Sequence, residues 1–116
     1  MTTRNGLVIH VLAEDAGVLT VALRVARNAV HDLDPDAMVQ VVVQGGAVRG
    51  LIAGGAYRDD LVATIHSAGV QVLACQNSMS REGVDDDSLL DGVSTVAAAV
   101  GYLARQQWAG AAYVRL

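Results

Sequence analysis

The chain has 116 residues and a formal net charge of −4; 53% of its residues are apolar, although Phe is absent and Trp occurs once. That length suits a single domain over residues 1–116, with a core of small branched side chains instead of aromatic ones. The eight basic residues are all arginines and are scattered, without the positive stripe of a nucleic-acid binder, and no apolar run reaches the roughly 18 residues of a membrane span.

The segment Met1–Gly6 leads straight into a short apolar run, too brief for a secretory leader. A lone cysteine cannot form an internal disulfide, which fits the cytoplasm as the expected compartment. The surplus of Val, Ala and Leu exceeds what one small core needs and points to contacts between copies of the chain.

Leu7–Leu12 is a continuous β-branched run and reads as a strand buried on both faces. Asp15 is placed to cap a helix over Ala16–His31, with Thr20, Arg24, Arg27 and His31 on its polar face. Pro35 stops that helix. Met38–Val43 is a second strand, broken by Gln44-Gly45-Gly46, and the glycine-rich stretch beyond reads as a flexible loop. Tyr57–Ser67 is helical, closed by Gly69. Val70–Cys75 is a third strand, and Asn77–Glu82 a short helix closed by Gly83. Asp85-Asp86-Asp87-Ser88 caps a short turn through Leu90. A short strand lies around Val93–Val96, a last helix over Ala97–Trp108 and a last strand over Ala111–Arg115. Strands alternating with helices predict an α/β fold with a parallel sheet covered on both faces. Function in such sheets collects beyond the carboxyl ends of the strands, here the segments Ala13–Gly17, Gln44–Gly50 and Cys75–Arg81.

Cys75 ends a strand and precedes a helical turn. Amides at a helix start favour a thiolate, and Arg81 can add positive charge if the turn folds back. The alternative is a small buried hydrophobe. Gly45, Gly46 and Arg49 follow a strand, where glycine amides can approach an anion, but the stretch lacks the ending of a nucleotide-binding P-loop and does not match G-x-G-x-x-G. His10 is mid-strand, in the core or at an interface; His31 and His66 lie on polar helix faces. No His or Cys pair has metal-ligand spacing, so neither a metal nor a cofactor is expected.

Around this cysteine the sequence resembles the DsrE/DsrF-like family of small sulfur-metabolism proteins. The resemblance is carried by Gly69-Val70-Gln71-Val72-Leu73-Ala74-Cys75-Gln76-Asn77-Ser78-Met79, by Arg81-Glu82-Gly83-Val84, by Leu89-Leu90-Asp91-Gly92-Val93, and by Gln106-Gln107 through Ala112-Tyr113-Val114. It implies a flavodoxin-like three-layer α/β/α sandwich with a mainly parallel sheet of about five strands, assembled into homo-oligomers, often trimers. In the sulfur-relay members a cysteine at this strand end carries a persulfide, followed by Arg and Gly at the offsets of Arg81 and Gly83. The sequence departs from those members where Gln76-Asn77-Ser78 follows the cysteine in place of a small apolar segment.

Three functions compete. In the first, Cys75 acts as a persulfide carrier between a sulfur-donor and a sulfur-acceptor protein, as a sulfurtransferase would, with the turn amides and Arg49 or Arg81 stabilising the anion. Alternatively, the same crevice is a non-catalytic small-molecule or anion site built from Asn77, Ser78 and the Gly45 and Gly46 amides. The third is a structural oligomer. The expected crevice has Cys75, Asn77 and Ser78 on one side and Gly45 and Gly46 opposite.

Overall fold

The structure, a computed structural model, describes residues 5–116. The leader reading rests partly on residues 1–4, which lie outside the described residues. Five strands form one sheet: β1 (Gly6–Leu12), β2 (Met38–Gln44), β3 (Gln71–Cys75), β4 (Ser94–Val96) and β5 (Ala112–Arg115). Their order is β4-β3-β2-β1-β5, and every neighbouring pair is parallel. The Val-rich runs predict this, because a parallel strand covered on both faces has no solvent side on which to place polar residues.

Right-handed crossovers decide where the helices go. The chain steps from β1 to β4 in one direction, so α1 (Val18–Asp32), α2 (Arg58–Val62) and α3 (Gln76–Glu82) lie on one face. It then returns across the whole sheet to β5, which sends α4 (Ala99–Trp108) to the opposite face. The result is the three-layer α/β/α arrangement of the expected fold class. The first face buries Ile9, Val11, Val41, Val43, Val72 and Ala74 against Leu19, Leu23, Leu61 and Met79. The second face is thinner: Val8, Val42, Leu73 and Cys75 pack on Ala99 and Leu103 of α4 alone.

Several local expectations change. Asp15 Oδ1 accepts from the Gly17 amide at 2.7 Å, a turn just before α1, and makes no cap to the helix itself. Arg27 is half-buried instead of solvated; its Nη1 donates to Thr64 Oγ1 at 2.8 Å. The Gly45–Leu51 stretch is a 3-10 helix, with Ala47, Val48 and Leu51 in the core, and not a flexible loop. Apolar side chains at Ala47, Val48 and Leu51 supply the burial that a loop of glycines alone would lack. The helix after Tyr57 runs on as a π-helix over Ala63–Ser67. The last helix starts at Ala99, two residues later than its sequence suggests.

Candidate active site at Cys75

Cys75 is the last residue of β3, and α3 follows it without a loop. The residue is 2% exposed. Burial alone would push the thiol pKa up. The Ser78 amide and hydroxyl and the Ala99 and Asn77 amides, as donors around the sulfur, outweigh that cost, and the thiol lies below its ordinary value of 9.0. The donors come from two directions. Asn77 and Ser78 belong to the first turn of α3, and Ala99 opens α4 on the other side of the sheet.

The Ser78 hydroxyl is itself oriented. Its Oγ accepts from the Gly45 amide at 2.8 Å. With that lone pair engaged, its single proton is left to serve the sulfur beside it. Gly45 reaches this position with φ +82, and a Cβ there would stand 2.8 Å from the Ala13 carbonyl oxygen. Only glycine combines that backbone with that proximity. The Gly45 amide therefore acts on the cysteine through Ser78.

The sulfur faces a cavity of about 250 Å³. Its walls are the carboxyl ends of β1, β2 and β3 at Leu12, Gln44 and Cys75, the turn residues Gly45, Asn77 and Ser78, and the start of α4 at Ala98, Ala99 and Val100. Glu14 and Arg81 complete the lining, and both are exposed. Of the residues singled out in the sequence, Cys75, Asn77, Ser78, Arg81 and Gly45 share this cavity. Gly46 and Arg49 stand outside its lining. Gly46 packs against the β1–α1 turn, where an added Cβ would lie 2.4 Å from the Glu14 carbonyl oxygen. Arg49 pairs with Glu82 and donates to the Glu14 carbonyl at 3.1 Å, fastening that turn to α3.

Leu12 and Ala98–Val100 were not singled out in the sequence, and Gln44 only as the start of the segment Gln44–Gly50. Leu12 and Gln44 are paired in the β1–β2 register, and β2–β3 pairing through Val43 and Ala74 carries the same row on to Cys75. Strand ends in known register could have supplied the first two; the return of α4 to the sulfur is a tertiary fact. A larger cavity of about 630 Å³ adjoins Asp85, Asp86 and Asp87. Among the described residues no group of three His, Cys, Asp or Glu side chains is placed to hold a metal ion, and no helix is long and apolar enough to cross a membrane.

No protein-family model matches the chain, and no curated protein matches it. Solved structures do. The protein of unknown function MTH1491 from Methanobacterium thermoautotrophicum is 31% identical over 97% of this chain and 99% of its own, with a TM-score of 0.84. The YchN protein of E. coli is 16% identical over 99% of this chain and all of its own, with a TM-score of 0.71. The protein of unknown function BT1422 from Bacteroides thetaiotaomicron is 15% identical over 96% of this chain and 94% of its own, with a TM-score of 0.68. The latter two likenesses establish a shared fold.

Proposed function

For this chain, which belongs to the same family as MTH1491, we propose a role as a sulfur carrier in which Cys75 bears a persulfide. The observation that carries the reading is the convergence of two helix starts and an oriented hydroxyl on one sulfur at a cavity wall. Such donors favour the thiolate, the form that attacks sulfur. In the forward step the Cys75 thiolate attacks the outer sulfur of a donor persulfide. A new S–S bond forms at Cys75, the donor's S–S bond breaks, and the donor leaves as a thiolate. The transferred sulfur keeps its proton or releases it to water. A thiolate of the acceptor protein then repeats the exchange on Cys75. No external oxidant or reductant is consumed, and no cofactor is required.

Space for the second sulfur is available in the cavity, which is larger than the added atom requires. Arg81 at its rim and the amide donors within would favour an anionic terminal sulfur. The same donors also suit a second reading, a non-catalytic site for a small anion, which uses the cavity without covalent chemistry. Mass spectrometry after incubation with a sulfane-sulfur donor separates the two. The carrier gains the mass of one sulfur atom, reductant removes it, and Cys75→Ser gains none. An unmodified native protein whose Cys75 is alkylated only in denaturant would remove the carrier reading.

A further inference from the structure

His10 is 6% exposed and belongs to none of the chemistry above. It lies on the α4 face of β1, and both of its ring nitrogens are engaged. Nδ1 is 2.7 Å from the Tyr113 hydroxyl on β5, and Nε2 is 2.9 Å from Gln44 Oε1 at the end of β2. A neutral imidazole has one donor and one acceptor nitrogen, so the two partners decide its tautomer together. A carboxamide oxygen can only accept, hence Nε2 carries the proton. Nδ1 then accepts, and the phenol donates to it. The order is Tyr113 O–H to His10 to Gln44 Oε1.

This chain has a consequence at its far end. With Oε1 set against His10, turning the Gln44 carboxamide over would reverse the whole chain: His10 would have to carry its proton on Nδ1 and the Tyr113 hydroxyl would have to accept from it, so the three groups switch only together. Its Nε2 has no hydrogen-bond acceptor among the described residues, and Gln44 lines the Cys75 cavity. Resting on the carrier reading, we infer that Gln44 is a ligand-binding donor of the Cys75 cavity, fixed with its N–H groups toward an anionic occupant by the positioning residues His10 and Tyr113. The occupant chemistry is an anion at the cysteine sulfur, such as the terminal sulfur of a persulfide. The reverse carboxamide orientation would present an oxygen to that anion and repel it.

The test uses two alkylating reagents of nearly the same size and the same leaving group, neutral iodoacetamide and anionic iodoacetate. Cys75 is the one cysteine of the chain, so the whole protein reports on it. The ratio of the iodoacetate rate to the iodoacetamide rate measures how well the cavity receives an anion, with thiol pKa divided out. It should exceed the ratio for a small free thiol. Gln44→Leu and Tyr113→Phe should each lower it by at least about threefold, the scale of one hydrogen bond to a charged group in a partly wet site. Gln44→Glu, which turns the donor into an anion, should lower it further. Tyr113→Phe keeps ring and strand and covers the case in which a Gln44 variant fails to fold. A ratio in Tyr113→Phe and Gln44→Leu equal to that of the parent overturns the inference. If that happens while the sulfur mass is still acquired, the carrier reading survives alone; if the ratio falls as expected but no sulfur is acquired, the donor role stands and the carrier reading fails. A native thiol that reacts with neither reagent overturns both.

Discussion

The thiolate of Cys75 is stabilised in the folded chain and loses its donors on unfolding. Its folded pKa is lowered from 9.0. At a pH between the lowered value and 9.0 the folded state carries the anion and the unfolded state still binds the proton. Stability therefore rises with pH across that window, is fully present above it, and is lost as pH falls through the folded pKa. Urea unfolding of the parent and of Cys75→Ser should diverge with rising pH in that window, because the other titrating groups are common to both chains. Parallel curves would mean that the thiol titrates alike in both states. Ser78→Ala tests the same balance from the donor side. It removes one hydrogen bond to the sulfur and leaves the Gly45 amide without its acceptor. The thiol pKa should rise, seen as a shifted inflection in alkylation rate against pH, and stability should fall by about 1–2 kcal/mol.

Among the elements, strands β1, β2 and β3 were legible because burial on both faces leaves a continuous apolar run. Helix α3 was legible because Gly83, φ +71, closes it with a residue suited to that backbone. The 3-10 helix was not. Its glycines look like flexibility in isolation, yet Gly46 and Gly50 allow close approach: a Cβ at Gly50 would stand 2.5 Å from Leu19 Cδ1. Gly46→Ala should cost about 1–3 kcal/mol, since its neighbour is backbone and cannot yield. Gly54→Ala, with nothing within 4 Å, should change stability by less than about 0.5 kcal/mol. Thermal melts of the two variants make the comparison; equal losses would mean that the 3-10 helix does not hold the Glu14 turn. Of the site, the sequence shows Cys75 and its turn. The Ala99 amide and the Gln44 carboxamide depend on a crossover and a register, which no local pattern encodes.

On the scale of the whole molecule, one face of the sheet is covered by a single helix, and that face is rich in exposed apolar groups. Val100 is 69% exposed and Trp108 82%, on the outward side of α4, and Tyr113 on the edge strand is 39% exposed. A monomer rarely leaves such a stripe in water. The expected assembly is a homo-oligomer, a trimer by family resemblance, with contacts through α4 and β5. Light scattering at micromolar concentration should give a multiple of the 12.0 kDa chain, and Val100→Glu with Trp108→Glu should reduce it to one. A monodisperse monomer of the parent protein would rule this assembly out.

The route of the chain also orders events in time. Tyr113 and His10 come from opposite ends of the sequence, and Ala99 arrives only with the final crossover. Contacts of such long separation close late, after local structure has formed. A refolding chain therefore passes through a stage in which β3 and α3 exist while the sulfur lacks its α4 donor. During that interval Cys75 is more open and a weaker acid than in the finished protein. Pulsed alkylation during refolding should label it at one rate early and change to the rate of the finished protein only when β5 has paired with β1, so the functional thiol doubles as a clock for the last step of folding.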